Sequence, residues 1–136
     1  MSLLKAFNTH YFDFLDNIIN IIADNKEINL AKITSMSIKK ANPTFILKVW
    51  YKFVYIPYNN VISKGDYEFI INKDYKNDIS ELKSNGNSIV LDDTLDIINK
   101  IREPIRQMNE QQKTESMKYI QNLTKLSHMY HMIQLV

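Results

Sequence analysis

Cysteine is missing from the chain altogether, and in 136 residues glycine occurs only twice and proline three times. Without cysteine there is no disulfide framework, no thiolate nucleophile and no cysteine-based zinc site. The absence fits a cytoplasmic-type compartment. Two glycines cannot build a phosphate-cradling loop, and the chain contains no GxSxG, GxGxxG, Walker-type or HExxH motif. The common nucleotide-dependent enzymes are therefore disfavoured. Long apolar runs are also lacking, since none approaches the roughly 20 residues that span a bilayer. Lys5, Asn8, His10 and Asp13 interrupt the N-terminal segment, so neither a signal peptide nor a membrane span is expected.

What remains is a hydrophobic share of 45%, suited to one compact helical domain over residues 1–136. The formal net charge of +2 conceals an uneven distribution. Residues 1–64 hold eight lysines against four acids, residues 65–98 three lysines against eight acids, and residues 99–136 six bases against three acids. Two basic segments flank an acidic middle. Lysine outnumbers arginine fifteen to two, and isoleucine and asparagine are abundant, a usage that suggests an A+T-rich genome.

Apolar residues from Leu4 to Ala23 recur every three or four positions, which predicts an amphipathic helix. A second helix is expected from Asn25 or Lys26 to about Lys40, although its periodicity is loose. Asn42-Pro43 reads as a helix start, because Asn caps free backbone N–H groups and Pro at the first position has none to satisfy. The helix that follows, to about Tyr55, places Trp50 at the centre of the core, and Pro57 is expected to stop it. A short helix from Tyr58 should end at Gly65, and Asp66 should cap another. Residues 72–92 form an acidic, mobile surface loop in this reading, with a turn of helix near Ile79–Lys83. Asp92 or Asp93 then caps a helix that Pro104 kinks, and Asn109 opens the last helix, with Met117, Ile120, Leu123, Leu126, Tyr130 and Ile133 on its buried side. The fold class is all-α: a compact irregular bundle of five to seven helices with one long polar loop.

Candidate chemistry is sparse. His128 and His131 stand one helical turn apart, yet two ligands without a neighbouring acid make an incomplete zinc site, so no metal is expected. The acids fall at helix starts and in the acidic stretch, where capping and the helix dipole account for them, and no catalytic pair is assigned. No cofactor is expected. Lys39, Lys40, Lys48, Lys52, Arg102 and Arg106 are the candidate phosphate-binding residues, should a basic helical face bind nucleic acid. Lys113, Lys118 and Lys125 add to the basic count. Tyr11, Phe12, Phe14, Tyr51, Tyr55, Tyr58 and Tyr130 are read first, for the most part, as core, and any in excess of what one face hides would leave an exposed patch for a partner or a second copy.

In order, Ser2-Leu3-Leu4-Lys5-Ala6-Phe7-Asn8, Ala41-Asn42-Pro43 leading to Lys48-Val49-Trp50, Gly65-Asp66 and Asn72-Lys73-Asp74-Tyr75 resemble a known family. So do Arg102-Glu103-Pro104-Ile105-Arg106 and the run Lys118 to Ser127. That family is a set of small uncharacterised proteins of large nucleocytoplasmic DNA viruses, of the mimivirus and algal-virus type. The resemblance spans most of the chain outside roughly residues 77–91 and rests on overall pattern. It implies a viral assembly, virion or gene-expression accessory role in the host cytoplasm, at the virus factory, or in the virion, and it carries no site residue across.

The resulting expectation is a non-enzymatic protein-interaction module that binds a viral or host protein or a second copy of itself. A nucleic-acid-binding accessory protein is the alternative, and an enzyme of unrecognised type stands third.

Overall fold

The computed structural model describes residues 2–73 and 89–134. Among these residues there is no strand. The helical elements are α1 (Leu3–Ile21), α2 (Lys26–Ala41), α3 (Phe45–Trp50), α4 (Ile56–Ser63), α5 (Tyr67–Asn72), α6 (Ile89–Arg106) and α7 (Glu110–Gln134). The all-α architecture is as the periodicities predict.

Side-chain caps set most of the boundaries. Ser2 accepts from the Lys5 N–H at the start of α1, and Asn25 accepts from the N–H groups of Glu27 and Ile28 at the start of α2. The turn between them passes through Asp24 with φ of 65°, a left-handed conformation that Asp tolerates better than most residues. Asp66 caps α5 through Phe69 N–H, following Gly65 at φ 74°. Asn109 and Gln112 exchange hydrogen bonds of 2.8 and 3.1 Å, a reciprocal capping box that opens α7.

Asn42 serves two helices at once. Its N–H donates to Ile38 O and closes α2, while its side-chain oxygen accepts from the Thr44 N–H and hydroxyl. Phe45 N–H returns to Asn42 O, so the helix proper begins at Phe45, two residues later than a cap at Asn42 alone would place it.

Pro57 does not stop the helix it follows. Residues Tyr51–Tyr55 form a π-helical turn in which Ile56 N–H reaches back five residues to Tyr51 O, and α4 continues directly with Pro57 in its first turn. In a regular α-helix the Pro57 ring would crowd the carbonyl four residues earlier, and the wider turn removes that conflict. Pro104, by contrast, stands inside α6 as expected, but the helix ends two residues later at Arg106 with tightened bonds from Gln107 to Pro104 and from Met108 to Ile105.

Both ends of the expected 72–92 loop are helical among the described residues. Asn72 belongs to α5, and α6 already begins at Ile89, upstream of Asp92 and Asp93. The turn expected near Ile79–Lys83 lies outside the described residues.

α1 and α7 pack along one another at the centre, the α3–α4 rod lies against α7, α2 closes over α1 and α6, and α5 is held on α6. Phe7, Tyr11, Phe14, Leu15 and Ile18 of α1 are fully buried, and Trp50 meets Phe7 and Tyr11 edge-on at 6.2 and 6.5 Å. The Trp50 indole N–H donates to Thr124 at 3.0 Å, so the largest core residue is also satisfied as a donor.

Candidate functional site

α2 has two apolar faces, and among the described residues only one is covered. Ile28, Ala31, Ser35 and Ile38 face the core, with Ser35 bonded to the Tyr11 hydroxyl at 2.9 Å. Leu30, Ile33 and Met36 form a second line, spaced three residues apart, and are 62%, 61% and 54% exposed. At 100° per residue these three span about 120° of the helix. Asn29 and Ser37 are exposed beside them.

Lys26 and Lys40 bracket this line. Each is seven residues from Ile33, which places both within about 20° of Ile33 around the helix and about 10 Å from it along the axis. Both are exposed and have no ion-pair partner among the described residues. The other lysines of α2 are engaged: Lys32 pairs with Asp16, and Lys39 lies 5.4 Å from the centre of the Phe12 ring. These contacts bind the flanks of α2 to α1 and fix which way its outer face points.

The six basic candidates are spread over α2, α3, the π turn and α6. Lys40 and Lys48 are exposed, and Lys52 is exposed with its ammonium 5.4 Å from the Phe53 ring centre. Arg102 and Arg106, the only arginines in the chain, reach to α5: they donate to the carbonyls of Lys73 and Ile71, and Arg106 also meets Glu103 at 3.0 Å. They act there as caps at the carbonyl end of α5.

The aromatic candidates follow the core reading and leave no exposed aromatic patch of their own. Tyr11 and Phe14 are wholly buried, and Phe12, Tyr51, Tyr55, Tyr58 and Tyr130 are half-buried. The exposed apolar surface is aliphatic and sulfur-bearing instead: the α2 line, Ile56, and Met129, Met132 and Ile133 at the end of α7, together with Phe69. Ile133, which the spacing puts on the buried side of α7, is 58% exposed, and its neighbours Met129 and Met132 are exposed in part as well.

His128 and His131 hold rings in place of a metal-ligand geometry. His131 lies flat on Tyr51 at 4.0 Å, His128 on Tyr55 at 4.4 Å, and the two tyrosines stack on each other at 5.1 Å. The four near-parallel rings fasten α7 to the π turn. Among the described residues no group of three or more His, Cys, Asp or Glu could hold a metal ion.

An apolar cavity of about 110 Å³ lies between the α3–α4 rod, α5 and α6, over Phe14 and Trp50. It is small beside the roughly 300–1,000 Å³ of ordinary ligand pockets, and among the described residues no carboxylate or imidazole lines it. No helix of the described residues is long and apolar enough to cross a membrane.

Sequence reasoning overlooked the outer face of α2. The signal was present in the loose periodicity: positions 28, 31, 35 and 38 interleave with 30, 33 and 36, and two superposed stripes blur into none. No protein-family model, no curated protein and no solved structure matches this chain.

Proposed function

We propose that this chain is a non-enzymatic protein-interaction module that engages another protein through the outer face of α2. The viral setting, in the host cytoplasm or the virion, rests on the resemblance and the A+T-rich residue usage. The observation that supports the binding role is the line Leu30, Ile33 and Met36, more than half exposed on a helix whose opposite face is already core. Exposed single apolar residues are ordinary, but three in register on one helix form a contiguous patch of the kind partners cover.

The test is a photo-crosslinking amino acid in place of Ile33, used in infected cells and then with the purified partner. The expected result is one heteromeric adduct that is lost when Leu30→Ser and Met36→Ser are added. Absence of any adduct at position 33 would overturn the reading.

A further inference from the structure

We infer that α2 receives an amphipathic helix whose apolar anchors are bracketed by acidic residues about two turns away on either side. This rests on the docking role proposed for the same face and names its partner's chemistry. The partner is a protein helix, distinct from a second copy of this chain.

Three observations lead there. Lys26 and Lys40 lie within about 20° of the bearing of Ile33, between those of Leu30 and Met36, so a segment seated along the axis through Ile33 also passes over both ammonium groups. Neither lysine has an ion-pair partner among the described residues, whereas Lys32 pairs with Asp16 and Lys39 lies over the Phe12 ring. A second copy fits badly: pairing α2 with α2 in parallel sets Lys26 against Lys26 and Lys40 against Lys40, and antiparallel pairing about Ile33 sets Lys26 against Lys40. Like charges meet either way, and acids at those points relieve both.

The two lysines also limit the length of the apolar contact to about 20 Å, the span of 14 residues at 1.5 Å each. A segment of finite length with charged ends matches this better than a continuous bilayer surface. The polar Asn29 and Ser37 within the face, and the lack of an exposed aromatic ring on α2, point the same way.

Two synthetic amphipathic helices of about 21 residues test the inference. They share one leucine-rich stripe and carry either Glu or Lys seven residues before and after its centre. Fluorescence anisotropy against the intact chain should show the Glu-bracketed peptide binding about fivefold tighter or more, from two exposed charge pairs. The double variant K26E/K40E should reverse that order. Equal binding of the two peptides would leave the docking face intact and overturn the charge matching. Binding of neither peptide would overturn the inference, and an adduct at Ile33 in cells would then show that docking itself survives. Light scattering that gives a dimer dissolved by Ile33→Asp, or sedimentation with phosphatidylserine-containing vesicles in place of peptide binding, would overturn it in favour of a second copy or a membrane.

Discussion

The indole nitrogen of Trp50 donates to the hydroxyl of Thr124 at 3.0 Å, and that hydroxyl donates in turn to Ile120 O at 2.7 Å. The two residues are 74 positions apart, and the bond joins α3 to the middle of α7 inside the core. Thr124→Val keeps the shape and leaves a buried N–H without a partner, a loss of about 1–3 kcal/mol. Thr124→Ser keeps the acceptor and should retain most of it. Denaturant melts followed by the fluorescence of Trp50, the sole tryptophan, measure both, and a T124V variant as stable as T124S would refute the assignment.

Tyr11 gives the fold a weakness in strong alkali. Burial pushes its hydroxyl up to about 12 from the ordinary 10, with the Ser35 hydrogen bond pulling weakly the other way. Above pH 10 the unfolded phenol ionises while the folded one keeps its proton. Its contribution is therefore complete below pH 10 and disappears as pH rises to about 12, on the order of 3 kcal/mol in total. Tyr11→Phe should be less stable than the parent at pH 8, because Ser35 loses its partner, and the gap should close by pH 12. A gap that stays constant from pH 8 to 12 would contradict this.

His10 works in the opposite direction, at the acidic end. Burial lowers its pKa below 6.5, against the raising effect of the nearby Asp13 charge. The ring lies 4.8 Å from Tyr119, and its buried Nε2 has no hydrogen-bond partner among the described residues. The unfolded imidazole takes up a proton more readily than the folded one, so stability is held above pH 6.5 and falls as pH drops below it. Urea midpoints at pH 7.5 and 5.5 should show a smaller acid-side drop for His10→Phe than for the parent.

Ile28 and Ile33 are five positions apart on one helix and should respond in opposite ways. Ile28 is buried, and Ile28→Ala is expected to cost about 2–5 kcal/mol. Ile33→Ser should change stability by no more than about 0.5 kcal/mol, since its side chain already stands in water. Thermal melts of the isolated chain decide it, and a large loss from I33S would show that the α2 outer face has a covering that belongs to the chain itself.

Local signals in the sequence were legible where one residue settles one boundary. Asn25, Asp66 and Asn109 each cap through their own side chain, and Gly65 takes the positive φ for which glycine is suited. Pro57 was misread because the rule for proline assumes bonds four residues back, and the π turn changes that spacing. Tertiary partners were not legible. Arg102 and Arg106 look like solvated cations until α5 is seen to end against them, and His128 and His131 look like an incomplete metal site until Tyr51 and Tyr55 are seen beneath their rings. The α2 face was hidden for a different reason: apolar spacing reports that a residue avoids water, and a partner's surface meets that need as well as a core does.

Only Pro43 and Thr44 separate Asn42 from α3, and nothing separates it from α2. With its N–H closing α2 and its side chain and carbonyl both engaged in the turn into α3, the joint has almost no torsional slack. The outer face of α2 is consequently held at a set angle to Trp50 and the core behind it. A protein seated on Leu30, Ile33 and Met36 would inherit that angle, and the bundle would then act as a bracket that fixes the bearing of what it holds.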